Sequence, residues 1–239
     1  MKVAVVTGGT SGMGEAAAVE LLRRGWNVAV MARKKAATKA FLVEGDVAQD
    51  ADCRRVAESV LDKWGQIDAL VNCAGTTKFV THSDLEGLSA DDWQQIFRVN
   101  VIGPYQMIRA CAPALKRARG SIVNISSVAS ILGTGSSVAY AASKAALDTM
   151  SVSLSRALGP EIRVNVVAPG YVKTPWQVAA HGAEGAANLE KKYAEKAPLK
   201  SAPEPQDVAD AICWLIEGAR QVTGEIIYVD GGIHIASPR

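Results

Sequence analysis

Val, Ile and Ala gather in seven short runs along the chain: Val3 to Val6, Asn27 to Met31, Ala40 to Val43, Ala69 to Val71, Ser121 to Ile125, Arg163 to Val167 and Ile226 to Val229. The runs are nearly continuous rather than alternating with polar residues, which is the pattern of strands covered on both faces. Between most of them lie longer stretches with helical spacing: Glu15 to Arg24, Ala51 to Trp64, Ala90 to Ala118, Ser137 to Leu158 and Pro205 to Glu217. Strands that alternate with helices leave few architectures open. The expected fold class is α/β: a doubly wound, parallel seven-stranded sheet with helices on both faces. Ser89 followed by Asp92 has capping-box spacing, and Gly25, Gly65, Gly120 and Gly159 stand where helices should end. No repeat or low-complexity tract interrupts the pattern, so residues 1–239 read as a single domain.

Two segments break the alternation. Only Ala32 to Ala40 separates the second and third strands, less than the dozen or so residues a helical crossover needs, so a loop with at most one helical turn is expected. Tyr171 to Pro203, rich in Ala, Gly and Lys, is long for a connection inside one domain and reads as a lid over the active site.

The chain carries 26 Lys and Arg against 24 Asp and Glu, a net charge of +2. That is too little to build a field that holds a polyanion, so neither nucleic acid nor a membrane is expected as partner. Hydrophobic residues at 49% and charged residues at 21% suffice for a packed core and exclude disorder as the main state. Cys53, Cys73, Cys111 and Cys213 form no C-x-x-C pair and no cluster with His82, His181 or His234, so neither a disulfide framework nor a metal is expected. The glycines arrive too early for a signal-peptide core, and no run approaches about eighteen apolar residues. The expectation is a soluble, cytoplasmic protein with a small-molecule substrate.

The first apolar run leads straight into Thr7-Gly8-Gly9-Thr10-Ser11-Gly12-Met13-Gly14, and helical spacing follows. Glycines at a strand-to-helix turn let the backbone bend sharply and approach a pyrophosphate, whose charge then sits at the positive helix N-terminus. A tight turn without a ligand is the plain alternative. The strand-loop-helix context favours nucleotide binding by Gly8, Thr10, Ser11, Gly12, Met13 and Gly14.

The T-G-x-x-x-G-x-G spacing of this loop resembles the short-chain dehydrogenase/reductase family, and further matches follow in the family's order over essentially the whole chain. They are Asp46-Val47, Asn72-Cys73-Ala74-Gly75, Asn100, Ser127, Tyr140 with Lys144, Pro169-Gly170 leading to Thr174, and Asp230-Gly231-Gly232. Cys73 departs from the family's usual Asn-Asn-Ala-Gly. The resemblance implies a short, single-domain, Rossmann-like oxidoreductase acting at a CH–OH group with NADP or NAD, assembled as a homo-oligomer, tetramer or dimer. It also implies cofactor contacts from Asp46, Val47, Asn72, Ala74, Gly75, Tyr140, Lys144, Pro169, Gly170 and Val172, with Thr174 on the nicotinamide carboxamide. The choice of cofactor falls to the end of the second strand, where a carboxylate would accept from a ribose 2'-hydroxyl and repel a 2'-phosphate. Ala32 stands there, followed by Arg33, Lys34 and Lys35, so NADP is expected. A solvated basic turn is the competing explanation, and Ser11 lacks the basic residue that many NADP-dependent members carry in the glycine loop.

Tyr140 and Lys144 are four residues apart on an expected helix and share a face. A tyrosine with its ordinary pKa of about 10 is a poor base near neutrality unless positive charge stabilises the phenolate, and Lys144 can supply that charge. The resemblance implies that Tyr140 exchanges a proton with the substrate oxygen, that Lys144 also holds the nicotinamide ribose, that Ser127 hydrogen-bonds the substrate carbonyl, and that Asn100 holds a water in the relay to Lys144. Taken singly, each residue has a structural role to compete with: a surface pair, a strand end, a helix cap. Ser126 competes with Ser127 but should point to the other side if the strand continues. The substrate wall is expected from Lys78, Phe79, His82, Val128, Ile131, Tyr171, Trp176, Val178, His181 and Tyr193. The expected reaction interconverts a ketone and a secondary alcohol. A 3-oxoacyl-(acyl-carrier-protein) reductase is the specific alternative, with Lys116, Arg117 and Arg119 available to an acidic carrier. A cofactor-binding regulator without turnover is the alternative from another class.

Overall fold

The structure, a computed structural model, describes residues 1–236, so the last three residues of the expected domain lie outside the described residues. Each apolar run falls in its own strand: β1 (Val3–Thr7), β2 (Asn27–Ala32), β3 (Phe41–Glu44), β4 (Ala69–Asn72), β5 (Ser121–Ile125), β6 (Arg163–Pro169) and β7 (Ile226–Val229). The strands form one sheet in the order β3-β2-β1-β4-β5-β6-β7, and every neighbouring pair is parallel. Side chains alternate across the pleat. Val3 and Val5, Leu70 and Ile122 therefore share one face, while Ala4 and Val6, Val71 and Val123 share the other. The first face packs on α2 (Asp50–Trp64) and α4 (Gly103–Ala118) through Cys53, Val56, Val60, Met107 and Leu115. The second packs on α1 (Gly12–Arg23) and α8 (Pro205–Glu217) through Leu21, Ile212 and Leu215. The remaining helices are α3 (Ala90–Phe97), α5 (Ala129–Leu132), α6 (Val138–Leu158) and α7 (Pro175–Lys196). Strands β1, β4 and β5 are buried throughout, which is why their sequences read as unbroken apolar runs.

No helix joins β2 to β3, as the short connection requires. The return is feasible because Phe41 starts level with Ala29. The chain climbs back over only three strand positions, roughly 10 Å at about 3.3 Å per residue. Three features differ from the sequence expectation. The single helix expected from Ala90 to Ala118 is broken by a π turn over Arg98–Ile102, with Pro104 in the first turn of α4, where its missing N–H costs little. Tyr171 to Pro203, where no helical spacing is read in the sequence, is mostly helix α7, kinked where Gly182 takes φ 70°. At the end of α4 it is Arg119, not Gly120, that takes the left-handed conformation. The Ser89 capping box at α3 is present.

Candidate active site

In a parallel doubly wound sheet ligands gather beyond the carboxyl ends of the strands. An elongated cavity of about 560 Å³ lies there. Its cradle is the loop from β1 to α1. Gly8 has φ 66° and its missing Cβ would sit 3.0 Å from the Ala74 Cα, while a Cβ on Gly14 would fall on the Gly8 carbonyl. The loop is fastened to the β4 exit by Thr7, whose Oγ1 accepts from the N–H groups of Cys73 and Ala74, both at 3.1 Å. Sequence reasoning passed over Thr7 as a residue of the site. Its signal was its place in the glycine motif.

Gly8, Thr10, Ser11, Gly12, Met13 and Gly14 line this cavity, with Arg33, Asp46 and Val47 at one end and Ala74, Gly75, Tyr140, Lys144 and Thr174 toward the other. Lys34 is exposed and stands outside the lining, one residue past Arg33. Asn72 is buried beneath it, with its Nδ2 donating to Asn124 Oδ1 at 2.8 Å across β4 and β5. Pro169, Gly170 and Val172 line a second cavity instead, of about 370 Å³, together with Ser127 and Trp176. The two cavities meet, because Met13, Ser126, Tyr140, Thr174 and Trp176 line both. Cys73 also lines the long cavity, and burial pushes its thiol up to about 11, which keeps it protonated and unreactive near neutrality.

Around Tyr140 the sheet edge, the π turn and α6 converge. Lys144 is buried and its Nζ donates to the Ile125 carbonyl at 2.8 Å, placing the ammonium 5.6 Å from the Tyr140 ring centroid. Asn100, in the π turn, is buried; its Oδ1 accepts from Thr76 N at 2.8 Å, and its Nδ2 donates to Thr76 O and to Ser143 Oγ, each at 2.9 Å. The side-chain amide is thus committed to holding the loop after Gly75 against α6. Ser127 Oγ accepts from Ala129 N at 3.2 Å, while Ser126 donates to the Lys144 carbonyl at 3.3 Å. At Tyr140 burial dominates and pushes the phenol up to about 12, with the Ser127 hydrogen bond pulling partly back. The same burial pulls Lys144 down to about 8, since a low-dielectric surround disfavours either charged form.

Of the expected substrate wall, Phe79, Val128, Tyr171, Trp176, His181 and Tyr193 line the second cavity. Lys78, His82, Ile131 and Val178 are outside it, and Lys78 is paired with Asp92 at 2.7 Å. Thr134, Gly135, Ser136, Gln177 and Leu189 join the wall unforeseen. His234 is held on Asp230 at 2.7 Å. Among the described residues no three His, Cys, Asp or Glu side chains are grouped to hold a metal. No helix among them is long and apolar enough to cross a membrane. The basic run Lys116 to Arg119 ends α4 and leads into the first residue of β5, which puts it at the amino edge of the sheet, opposite the cavities.

The glycine-rich cradle, the helix N-terminus behind it and the basic end at Arg33 fit a nicotinamide dinucleotide. Comparison with known proteins agrees. The family profile described as enoyl-(acyl carrier protein) reductase matches residues 8–234. The chain is similar to a Streptomyces violaceoruber protein named as ketoacyl reductase 2 of the granaticin polyketide synthase, 36% identical over 243 residues that span 98% of this chain and 96% of that one. It is also similar to the 3-oxoacyl-(acyl-carrier-protein) reductase of Thermotoga maritima, 32% identical over 98% of both chains. Among solved structures, ligand-free aldohexose dehydrogenase from Thermoplasma acidophilum superposes with a TM-score of 0.93 at 30% identity, covering 100% of this chain and 96% of that one.

Proposed function

The chain belongs to the short-chain dehydrogenase/reductase family of NAD(P)-dependent oxidoreductases, and from that premise we propose that it interconverts a ketone and a secondary alcohol with NADP preferred over NAD. The observation that supports this best is the junction of the two cavities at Tyr140, with Ser127 on the second cavity and Lys144 on the first. In this proposal the glycine loop holds the pyrophosphate, Asp46 and Val47 flank the adenine end, and Arg33 meets a 2'-phosphate where Ala32 offers no carboxylate to repel it. Ala74, Gly75, Lys144 and Tyr140 face the ribose end and Thr174 the carboxamide. Asn72 supports them from beneath, and Pro169, Gly170 and Val172 form the border with the substrate. The bound nicotinamide supplies the hydride.

Ser127 donates to the carbonyl oxygen and aims it at Tyr140. Tyr140, kept protonated by its burial, donates its proton to that oxygen, the form and direction that ketone reduction needs. Lys144, anchored on the Ile125 carbonyl, keeps positive charge beside the phenol as the proton leaves. Asn100 fixes Thr76 and Ser143 behind the lysine. Residues 171–203 act as the lid. The test is Tyr140→Phe: NADPH binding, followed by cofactor fluorescence, stays within about twofold, while turnover at 340 nm falls about 100- to 10,000-fold. Turnover above about a tenth of wild type sinks the assignment. A second proposal, reduction of a 3-oxoacyl thioester on a carrier protein, is favoured by the names of the two relatives. The basic run from Lys116 to Arg119 does not support it, since a carrier docked there would be on the wrong edge of the sheet.

A further inference from the structure

We infer that the substrate is a neutral ketone carrying an aromatic or fused ring, recognised by a chain of four rings that ends on the proton donor Tyr140. This rests on the oxidoreductase proposal above and names its substrate class. The rings come from separate parts of the chain: Phe79 from the loop after β4, Tyr140 from α6, Trp176 and His181 from α7. Each meets the next edge to face. His181 and Phe79 are 4.9 Å apart at 82°, Phe79 and Trp176 6.4 Å at 69°, and Trp176 and Tyr140 6.3 Å at 70°. These separations lie in the range of about 4.5–7 Å where aromatic edges and faces attract. A further ring placed against Trp176 therefore finds the same kind of contact with its carbonyl at Tyr140.

The two other tyrosines of the wall present little polarity, which leaves Thr134, Gln177 and Thr174 beside Ser127 as its polar side chains. Tyr171 and Tyr193 turn their hydroxyls away, donating to the carbonyls of Ala186 at 2.8 Å and Asp230 at 2.6 Å, so they offer the cavity ring carbon. Ser126 is spent on the Lys144 carbonyl and Ser136 on Thr77. Among the described residues no Asp, Glu, Lys or Arg lines the cavity, and the basic residues next to it in sequence, Lys78 and Lys173, are paired with Asp92 and Glu190. A phosphate or carboxylate would find no counter-charge among these described residues. A hexose would have Thr134 and Gln177 for its hydroxyls but would set the rest of its polar rim against ring carbon. The volume of about 370 Å³ is near the lower end of small-molecule sites, which run from about 300 to 1,000 Å³. Phe79 is 44% and Trp176 40% exposed, apolar surface at the mouth that a ring-bearing ligand would cover.

The experiment measures kcat/KM at 340 nm for 1-tetralone, 2-butanone and acetoacetyl-N-acetylcysteamine with NADPH and NADH, and for D-glucose with the oxidised cofactors. The expected result is a value for 1-tetralone at least about tenfold above each of the others. In Phe79→Ala the 1-tetralone to 2-butanone ratio falls about tenfold, mostly through KM for 1-tetralone, while Phe79→Tyr, which keeps the ring, retains the ratio. A higher value for D-glucose or the thioester than for 1-tetralone, or an unchanged ratio in Phe79→Ala, overturns the substrate class and leaves the oxidoreductase proposal standing. No turnover of any of the four compounds with either cofactor overturns both.

Discussion

At single side chains the site is governed by a contest between burial and charge, and burial wins at both Tyr140 and Lys144. The lysine is therefore charged below its lowered pKa of about 8 and neutral above it. A mechanism that needs the ammonium runs fully below about pH 7 and declines as pH rises through about 8. Tyr140, at about 12, adds no limb in that range. The pH profile of kcat/KM for ketone reduction checks this, and a profile flat to about pH 9.5 removes the lysine charge from the mechanism. Arg33 offers a second test. Guanidinium contact with phosphate contributes about 1.5–3 kcal/mol, and because Arg33 is exposed the low end applies. Arg33→Ala should weaken NADPH by about tenfold and barely alter NADH, whereas Ala32→Asp should penalise NADPH further and help NADH. An unchanged ratio of kcat/KM for the two cofactors in Arg33→Ala would mean that the basic turn is only solvated.

Among the elements, what the sequence made legible was whatever leaves a periodic trace. The seven strands follow from nearly unbroken apolar runs and the Tyr140–Lys144 face from a spacing of four residues, and Ser89 with Asp92 marked the start of α3. The π turn leaves no such trace, because one extra residue in a turn does not disturb an apolar pattern enough to be read. Nor does contact across the fold: Asn100 meeting Ser143, Lys144 turning to the Ile125 carbonyl, or Thr134 to Ser136 joining the cavity wall depend on packing that spacing does not encode. Helix α7 was hidden by its composition, rich in Ala, Gly and Lys, and Ala186 is its only buried residue. That thin packing carries its own prediction. Elements with few buried contacts open at low free energy, so amides of residues 171–203 should exchange fastest among the helices of the free chain. They should become protected when cofactor and ketone bind, as a lid requires. Strong protection of the segment without ligand would leave it an ordinary packed helix.

Over the whole molecule the sheet is the shared wall of two apolar cores, one against α2 and α4, the other against α1 and α8. Because β1, β4 and β5 contribute alternate residues to both, neither core can be lost while the other stays intact, and the chain should unfold as one cooperative unit. A homo-oligomer, which the family resemblance implies, would add a concentration dependence to that transition, since association stabilises the folded form by mass action. Leu70 lies fully buried on one face and Leu21 on the other. Truncating a buried leucine to alanine costs about 2–5 kcal/mol, and in a chain of this size each kcal/mol moves Tm by about 2–4 °C. Leu70→Ala and Leu21→Ala should each lower the same single transition by roughly 4–20 °C. Leu189→Ala, in the half-exposed part of α7, should move it by no more than about 2 °C. Calorimetry of the three variants at one protein concentration is the check. Two transitions, with Leu70→Ala moving one and Leu21→Ala the other, would mean that the faces fold independently and that the sheet does not couple them.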